Sequence, residues 1–426
     1  MRTFRIALAQ INPTVGDIDS NTDKIIDYID QARELFVDLV AFPELAIPGY
    51  PPEDLLFKPQ FIQANIAKMH DVVAASAGIA VAVGFVDANS YVYNSVAIAH
   101  DCELRGIYHK MYLPNYGVFD EERYFQAGKE CPVFTISGTR VGINICEDIW
   151  KAVGPTVVQR SIGAEVIVNI SASPFYTDKR TARERMLAVR AADNEIFVAY
   201  VNMVGGQDEL VFDGGSIIHD PFGKEVTRGP QFEESLVIAD LDLEEVSRSR
   251  LHDTRPKHEP SNKIEEIGTA AHIFVSERQD NSRPVVEYCT PIRHAGLAEI
   301  YEALVLGTRD YVHKTGFSNV FIALSGGIDS SLVAAIAVDA LGAENVIGVA
   351  MPSRFSSEGS LIDAKGLAEN LEIDLWELPI EAAFAAYLET LDSRFKDTEI
   401  GVAEENLQSR IRGTLVMALA NKFGGL

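Results

Sequence analysis

A polar segment in the middle of the chain separates two regions that each alternate between strand and helix patterns. Residues 254–293 include the strings TRPKHEPSNK and SERQDNSRPVVEY and carry four prolines, counting Pro291. This composition is typical of a linker or an extended arm, because proline and polar residues interrupt helices and strands. We therefore expect two folded domains, at residues 1–265 and 294–426, joined by an arm at residues 266–293.

The first region contains apolar runs that are rich in β-branched residues. They include residues 79–85 (IAVAVGF), 141–145 (VGINI) and 166–170 (VIVNI), and helical patterns at 22–36 and 179–192 lie between such runs. Because the runs are continuous rather than alternating, they predict strands that are covered on both faces. Strands of this kind, interleaved with helices, indicate an α/β or layered sandwich domain.

The second region starts a new alternation at about residue 294. The predicted elements are a helix at 296–315, a strand at 320–324, a helix at 330–341, a strand at 346–350, a helix at 360–371, a strand at 375–378 and a last helix at 404–423. A repeated βαβ order predicts a parallel sheet with right-handed crossovers. The region is short for a complete doubly wound domain.

Composition restricts what the chain can bind. The formal net charge is −25 and both regions are acidic, so neither has the basic surface of a nucleic-acid binder. The N-terminus lacks a signal-peptide pattern, and no apolar run is long enough to span a membrane. The four cysteines, Cys102, Cys131, Cys146 and Cys289, are too scattered for a disulfide framework. We expect a cytoplasmic protein that binds neither nucleic acid nor membranes.

A glycine-rich turn near residue 325 has the features of a phosphate-binding loop. The apolar string FIAL is followed by SGGIDSS, so a strand leads through Gly326 and Gly327 into a helix. Glycines let backbone N–H groups approach an anion, and the helix N-terminus adds free donors and a partial positive charge. No Gly-Lys-Ser/Thr follows, so the loop is not a Walker A motif. The alternative is a plain turn in which Asp329 or Ser330 caps the helix.

Three residues of the first region, Glu44, Lys110 and Cys146, form a chemically coherent set. Glu44 and Cys146 each follow an apolar strand, and functional residues collect at the strand ends of α/β layers. A carboxylate can take the proton of a thiol, and a buried ammonium can stabilise the oxyanion of a tetrahedral intermediate. Each residue also has a structural interpretation, and His109 offers an alternative Cys–His pair. His109 and Lys110 are adjacent on an alternating segment, so their side chains should point apart.

The strings around these residues resemble known families. FPEL, HKMYLPNYGVFDEERYF and NICEDIW together resemble the carbon–nitrogen hydrolase (nitrilase) superfamily, over about residues 3–250, and SGGIDSS resembles the loop of the ATP pyrophosphatases. Their combination with MPSRFSSEGS and NLQSRIRG is similar, over nearly the whole chain, to the glutamine-dependent NAD synthetase family. The resemblance implies an α/β fold, with an N-terminal nitrilase-like αββα sandwich and a partial Rossmann-like parallel-sheet ATP-pyrophosphatase domain.

The resemblance also implies a role for each matching residue. Glu44 would be the general base, Lys110 the oxyanion stabiliser and Cys146 the nucleophile. The residues that would hold glutamine are Tyr116, Glu147, Ser173 and Lys179, with the region of Trp150 lining the same pocket. The residues that would hold ATP are Leu324, Ser325, Gly326, Gly327, Ile328, Asp329, Ser330 and Ser331, with Asp329 also a candidate ligand of Mg²⁺. Asn406 and Arg410 would contact deamido-NAD⁺, unless NLQSRIRG is a plain amphipathic helix.

The activity that the resemblance implies is that of a ligase with two half-reactions. Glutamine is hydrolysed at the triad, and the ammonia amidates ATP-adenylated deamido-NAD⁺, which gives NAD⁺, AMP, pyrophosphate and glutamate. ATP is then a substrate, and Mg²⁺ is expected with it. Free ammonia would be protonated in water, so the family passes it through a tunnel. Such tunnels use neighbouring subunits, and the resemblance therefore implies a homo-oligomer.

The resemblance leaves other interpretations open. Family members continue beyond the helix that ends in NKFG, so the synthetase domain is expected to be incomplete at its C-terminus. The alternative is a stand-alone nitrilase-type amidase or glutaminase with a truncated, inactive synthetase remnant. An ATP pyrophosphatase with another acceptor is disfavoured by the MPSRFSSEGS and NLQSRIRG strings. A non-catalytic interaction module is disfavoured by the complete triad.

Overall fold

The structure is a computed structural model that describes residues 2–252, 266–278, 283–286, 291–396, 399 and 401–426. The chain divides into two compact units, Met1–Glu299 and Ile300–Leu426. Residues 269–274, which lie in the arm expected from the sequence, form a strand of the first unit. Cys289 and the TRPKHEPSNK string lie outside the described residues.

The first unit is built from strands and five α-helices within the described ranges. The strands are β1 (Thr3–Gln10), β2 (Leu39–Ala41), β3 (Ala80–Ala88), β4 (Val92–His100), β5 (Glu103–His109), β6 (Glu130–Ile136), β7 (Thr139–Ile145), β8 (Val166–Ser171), β9 (Phe197–Asn202), β10 (Val204–Gln207), β11 (Leu210–Asp213), β12 (Ile217–His219), β13 (Glu225–Arg228), β14 (Ser235–Asp242) and β15 (Thr269–Phe274). The helices are α1 (Ile18–Glu34), α2 (Pro59–Ala74), α3 (Pro155–Ser161), α4 (Lys179–Asn194) and α5 (Glu244–His252).

Most of these strands belong to two sheets. The first sheet has the order β14-β1-β2-β3-β4-β5, and the second has the order β13-β12-β9-β8-β7-β6-β15. The pairs β1–β2, β2–β3, β7–β8 and β8–β9 are parallel. Strands β2, β7 and β8 are buried, and each is followed by a loop at its carboxyl end. Strand β15 pairs in parallel with β6 at the edge of the second sheet.

The two sheets enclose one apolar core, and helices cover their outer faces. Ile6 of β1 and Ile143 of β7 belong to the cluster between the sheets. Ile25 of α1 packs with the outer face of the first sheet, and Leu187 of α4 packs with that of the second. Each fully buried aliphatic side chain contributes about 1.5–3 kcal/mol, so this layering dominates the stability of the unit. The arrangement is an αββα sandwich, as the family resemblance implied.

The second unit is a parallel three-stranded sheet between helices. Its elements are α6 (Leu297–Lys314), which begins just before the boundary, β16 (Val320–Ala323), α7 (Ile328–Leu341), β17 (Val346–Ala350), α8 (Glu358–Leu371), β18 (Asp374–Glu377), α9 (Glu381–Phe395) and α10 (Val402–Phe423). The strand order is β16-β17-β18, and both pairs are parallel. Helices α6, α7 and α8 share one apolar cluster with the sheet, and α9 and α10 share another. The predicted parallel α/β architecture is confirmed.

The length and apolar character of a helix decide whether it could span a membrane. Among the described helices, none is long and apolar enough to cross a membrane.

Candidate active site

Lys110 and Cys146 lie directly after strands of the sandwich, and Glu44 lies three residues after the end of one. Glu44 follows β2, Lys110 follows β5 of the same sheet, and Cys146 follows β7 of the facing sheet. The side chains of Glu44 and Lys110 are 0% exposed, and Cys146 is 5% exposed. Side chains from two facing sheets therefore meet at one end of the sandwich, as the positions of the strand ends suggested.

The Lys110 ammonium joins two buried carboxylates. Its Nζ donates to Glu44 Oε1 at 2.6 Å and to Glu121 Oε1 at 2.8 Å. Burial lowers the pKa of Lys110, but the negative charges of Glu121 and Glu44 raise it by more, so its pKa stands well above the ordinary value. Lys110 is therefore a fixed positive charge at neutral pH.

The Glu44 carboxylate is held by three donors. Besides Lys110, Asn94 Nδ2 donates to Oε1 at 2.7 Å and the backbone N–H of Ala172 donates to Oε2 at 3.0 Å. A Cβ at Gly84 would lie 2.3 Å from the Pro43 carbonyl oxygen, so glycine is what allows β3 to pass against the backbone beside Glu44. These three hydrogen bonds fix the position and orientation of the Glu44 carboxylate.

The Cys146 thiol is placed by an unusual backbone conformation. Its φ is +43°, which is rare for a residue other than glycine, and a short 3₁₀ turn (Cys146–Trp150) begins at this residue. Burial raises the pKa of the thiol, the nearby Glu44 raises it further, and Lys110 partly opposes this. The thiol therefore stays protonated at neutral pH until a base removes its proton, and Glu44 is a neighbouring carboxylate that can do so.

His109 does not compete for this role. Its Nε2 lies 2.8 Å from Asp87 Oδ2, and its ring stacks on Tyr93 with a centroid distance of 4.1 Å. Lys110, the next residue, contacts Glu44 and Glu121 instead. The expectation that the two side chains point apart is confirmed.

Two members of the predicted glutamine-binding set contact each other. Tyr116 is exposed, and its hydroxyl donates to Glu147 Oε2 at 2.8 Å. The other Glu147 oxygen lies 3.1 Å from Lys151 Nζ. Burial, the hydrogen bond to Glu147 and the charges of Glu147 and Cys146 together raise the pKa of Tyr116. Trp150 lies at the end of the same 3₁₀ turn.

Ser173 lies in the loop that follows β8, and Lys179 is the first residue of α4, at the other end of that loop. Lys179 Nζ donates to the Pro174 carbonyl at 2.7 Å. Burial lowers its pKa to about 8, although Cys146 acts in the opposite direction. Ser173 follows Ala172, the residue whose N–H binds Glu44, and its own N–H donates to Asn202 Oδ1 at 2.9 Å.

The sequence analysis missed several members of this cluster. Glu121 binds Lys110 and accepts from the Tyr50 hydroxyl at 3.0 Å, and burial raises its pKa to about 7. Asn94 binds Glu44 from within β4. The available signals were an acidic residue within the DEERYF string and a polar residue inside an otherwise apolar strand. Neither signal indicates by itself which side chain is the partner.

The glycine loop of the second unit has the predicted strand–turn–helix form. Gly326 has φ +77°, and a Cβ there would lie 2.3 Å from the Ser360 carbonyl oxygen, so only glycine fits. The Ser330 and Ser331 hydroxyls donate to the Gly327 carbonyl at 3.0 and 2.9 Å. Helix α7 begins at Ile328 after Gly327, without a side-chain cap bond, so neither Asp329 nor Ser330 acts as the N-cap. Its first N–H groups thus have no side-chain cap.

A cavity of about 480 Å³ adjoins this loop. The residues that line it are Ala323, Leu324, Ser325, Ala350, Met351, Pro352, Phe355, Ser356, Ser357, Ser360, Leu361, Ala364 and Arg412. Its walls are thus largely apolar, with serine hydroxyls and one guanidinium, which suits a flat heterocycle joined to an anion. Of the other predicted loop residues, Ile328 and Asp329 are exposed.

The fit of a Mg²⁺ ion depends on the nucleotide. Within the described ranges, no group of three or more His, Cys, Asp and Glu side chains could hold a metal ion. Mg²⁺ commonly binds through one or two carboxylates together with substrate phosphates, and the exposed Asp329 carboxylate in the first turn of α7 suits that mode.

Asn406 and Arg410 lie on the exposed side of α10. The Arg410 guanidinium lies 3.5 Å from the Asn406 carbonyl oxygen, a weak contact within the helix. Gln408 and Arg412 lie on the same helix but point inward. Gln408 Oε1 accepts from Ser353 Oγ at 2.8 Å, and Arg412 Nε donates to the Met351 carbonyl. The string NLQSRIRG therefore carries polar residues on both its buried side and its accessible side.

Comparisons with known proteins cover both units. Residues 5–251 match the family described as carbon-nitrogen hydrolase, and residues 300–426 match NAD synthase. The glutamine-dependent NAD(+) synthetase of Thermotoga maritima is 45% identical, and the alignment covers 100% of this chain and 74% of that protein. The structure of glutamine-dependent NAD+ synthetase from Acinetobacter baumannii with ADP has a TM-score of 0.82 and 37% identity, and the match covers 100% of this chain and 74% of that one.

A third similarity is confined to the first unit. A mutant of the amidase from Nesterenkonia sp. AN1, whose active-site cysteine carries the acetamide moiety of fluoroacetamide, has a TM-score of 0.52 and 26% identity. The match covers 58% of this chain and 95% of that one.

Proposed function

The chain belongs to the family of glutamine-dependent NAD(+) synthetases, and from that premise we propose how its residues divide the work of this ligase. The activity is the amidation of deamido-NAD⁺ to NAD⁺, with ammonia from glutamine and activation by ATP. Glutamate, AMP and pyrophosphate are the other products. Similarity over the whole chain, with both family matches, does not favour a stand-alone amidase.

The first unit carries the hydrolysis of glutamine. Glu44 takes the proton of the Cys146 thiol as Sγ attacks the side-chain amide carbon of glutamine. Among the described residues, the Lys110 ammonium donates to two carboxylates, and its third N–H is available to the oxyanion. Glu44 returns the proton to the leaving nitrogen, so ammonia departs and a thioester remains. Glu44 then deprotonates the water that cleaves this thioester and releases glutamate.

The side chains around the thiol account for glutamine rather than a simple amide. The Lys179 ammonium pairs with the α-carboxylate, and the Glu147 carboxylate pairs with the α-ammonium. The exposed Tyr116 covers the entrance through its bond to Glu147, and Ser173 contributes a polar group beside Ala172. The buried positions of Lys179 and Glu147 support this assignment, because a charged ligand replaces the water that those charges would otherwise need.

The second unit carries ATP activation. Residues 324–331 hold the phosphates through the open N-terminus of α7, and the adjoining cavity takes the base. Asp329, together with the phosphates, would hold Mg²⁺, and the ion would neutralise phosphate charge. Asn406 and Arg410, on the accessible face of α10, bind deamido-NAD⁺.

Three broader features follow from the same assignment. Assembly into a homo-oligomer is proposed because ammonia must be kept from protonation on its way to the second site. Cytoplasmic location is proposed because the reaction uses ATP and a free cysteine nucleophile, which a reducing compartment preserves. The acidic surface supports the absence of nucleic-acid binding.

The observation that carries this proposal is the buried Lys110–Glu44 ion pair beside the Cys146 thiol, on the same chain as the glycine loop. NAD⁺ formation is measured with deamido-NAD⁺, Mg-ATP and either glutamine or ammonium chloride. Cys146→Ala should lower glutamine-supported formation by at least about 10⁴-fold and leave ammonia-supported formation unchanged. Cys102→Ala, at an exposed cysteine, is the matched control and should change neither. Glutamine hydrolysis without NAD⁺ from either donor would contradict the assignment to the whole chain.

A further inference from the structure

We propose that Asp148 is a positioning residue that fixes the nucleophile Cys146 relative to the oxyanion-stabilising Lys110. This proposal rests on the function proposed above, because it concerns the same hydrolysis of glutamine. Asp148 lies two residues after Cys146, and it is fully buried. The contacts described below do not place it on either reacting atom, so its effect passes through the backbone.

One carboxylate binds the chain on both sides of the site. Asp148 Oδ2 accepts from the backbone N–H of Ile145 at 3.0 Å, directly before Cys146. Asp148 Oδ1 accepts from the backbone N–H groups of Met111 at 3.2 Å and Tyr112 at 2.9 Å, directly after Lys110. These bonds connect the loop that carries the nucleophile with the loop that carries the ammonium.

A fourth hydrogen bond connects Asp148 with a strand of the sandwich, and the four bonds together form a clamp. The Tyr108 hydroxyl, at the end of β5, donates to Asp148 Oδ2 at 2.7 Å. Strands β5 and β7 belong to different sheets, which face each other across an apolar core. Apolar contacts are non-directional, whereas hydrogen bonds fix distance and angle, so the Asp148 bonds hold the two strand ends in register.

The strained backbone of the nucleophile makes this clamp important. Cys146 has φ +43°, a conformation that costs about 1–3 kcal/mol and persists only when its surroundings impose it. Asp148 binds the preceding N–H, and Asn169 Nδ2 approaches the Cys146 carbonyl at 3.4 Å. Loss of the first bond would let the turn relax and move the thiol away from Glu44.

The chemistry of the four donors explains why a carboxylate is needed. All four groups present hydrogens to Asp148, and an ionised carboxylate accepts at both oxygens. An asparagine would keep one accepting oxygen and turn an NH₂ group toward donors on the other side. Asp148→Asn therefore preserves shape and removes half of the clamp.

The experiment compares Asp148→Asn with a matched carboxylate elsewhere in the unit. Glu165 is also buried, binds a backbone N–H of Arg140 at 3.1 Å and lies outside the described contacts of the triad. Three properties are measured for wild type, Asp148→Asn and Glu165→Gln: kcat and KM for glutamine hydrolysis, the rate at which iodoacetamide alkylates Cys146 at pH 7, and the thermal midpoint. Peptide mass spectrometry separates Cys146 from the exposed Cys102.

Asp148→Asn should lower kcat by about 100-fold with KM within threefold of wild type, because misplacement by about 1 Å costs on that order. It should also slow alkylation of Cys146 at least fivefold. Glu165→Gln should keep kcat and alkylation within threefold of wild type, even where its thermal midpoint falls. An equal loss of kcat in both variants, or a kcat within threefold of wild type in Asp148→Asn, would overturn the proposal.

A second variant covers the case in which Asp148→Asn does not fold. Tyr108→Phe removes only the hydroxyl, and it should lower kcat about fivefold at unchanged KM. A wild-type kcat in this variant would overturn the proposal. If the wild-type protein fails to hydrolyse glutamine, the proposed function fails, but the alkylation rates still decide the role of Asp148.

Discussion

The two sites differ in where their polar groups lie before any substrate arrives. In the first unit, Glu44 and Lys110 are buried and already joined to each other. In the second unit, the polar groups of the glycine loop are partly open to solvent, and the hydroxyls of Ser330 and Ser331 bind the loop's own backbone. The charged side chains of the first site are therefore buried in the fold, whereas the second site presents an exposed backbone turn.

The substrates proposed for the two sites account for this difference. Glutamine presents an uncharged amide, so the charge that stabilises its oxyanion must be fixed in a low-dielectric site beforehand. ATP brings its own charge, so a helix N-terminus and a close backbone approach are sufficient. We therefore expect charge changes in the first site to affect folding as well as catalysis, and changes in the loop to affect binding alone.

The largest expected effect comes from removing the central cation. Lys110→Met leaves Glu44 and Glu121 buried without their positive partner, which should cost about 3–5 kcal/mol of unfolding free energy. Glutamine hydrolysis should fall at least about 10³-fold, because the oxyanion loses its ammonium. Urea unfolding and steady-state assays measure the two effects.

The control for this change is a partly exposed lysine. Lys24 pairs with Glu234 on the surface, and Lys24→Met should cost no more than about 1 kcal/mol. A stability loss in Lys110→Met no larger than in Lys24→Met would show that the buried charges are not coupled to folding.

The second prediction tests whether the loop acts in binding alone. Gly326→Ala puts a Cβ against the Ser360 carbonyl at a positive φ, so the turn must distort. ATP affinity, measured by calorimetry, should fall about 10- to 100-fold, while kcat for glutamine hydrolysis stays within twofold. Gly366→Ala in α8 is the matched control, because a Cβ there meets nothing within 4 Å. ATP affinity equal to wild type in Gly326→Ala would contradict a close-approach role for this glycine.

Much of this fold could be predicted because the strong patterns are local. Residues 346–350 were predicted as a strand and form β17, and the helix predicted at 404–423 is α10 at Val402–Phe423. Helix α9, with its EAAFAAYLETLDSRF sequence, was not among the predicted elements. Continuous apolar runs and glycine turns report local structure directly, whereas an alanine-rich segment gives a weaker periodic signal.

The positions of Glu44, Lys110 and Cys146 at strand ends could be predicted, but most of the side chains that contact them could not. Cys146 and Glu44 follow predicted strands, and strand ends of α/β layers are where sites form. Glu121 and Asp148 lie in short 3₁₀ turns. Glu121 binds Lys110 across 11 residues of sequence, and Asp148 binds the Tyr108 hydroxyl across 40. Periodicity carries no information about which loop folds over which, so these bonds emerge only from the packed sandwich.

The smallest expected effect concerns Lys179, whose ammonium is buried beside the thiol. Burial lowers its pKa to about 8, so it is protonated below that pH and loses its charge above it. If Lys179 binds the α-carboxylate of glutamine, KM should be constant from pH 6.5 to 7.5 and rise up to about tenfold by pH 9. Arginine stays charged over this range, so in Lys179→Arg the rise should be confined to the ionisation of glutamine's own amino group. Identical KM profiles in the two proteins would exclude Lys179 as the titrating group. The burial of Lys179 would then have no part in the recognition of glutamine.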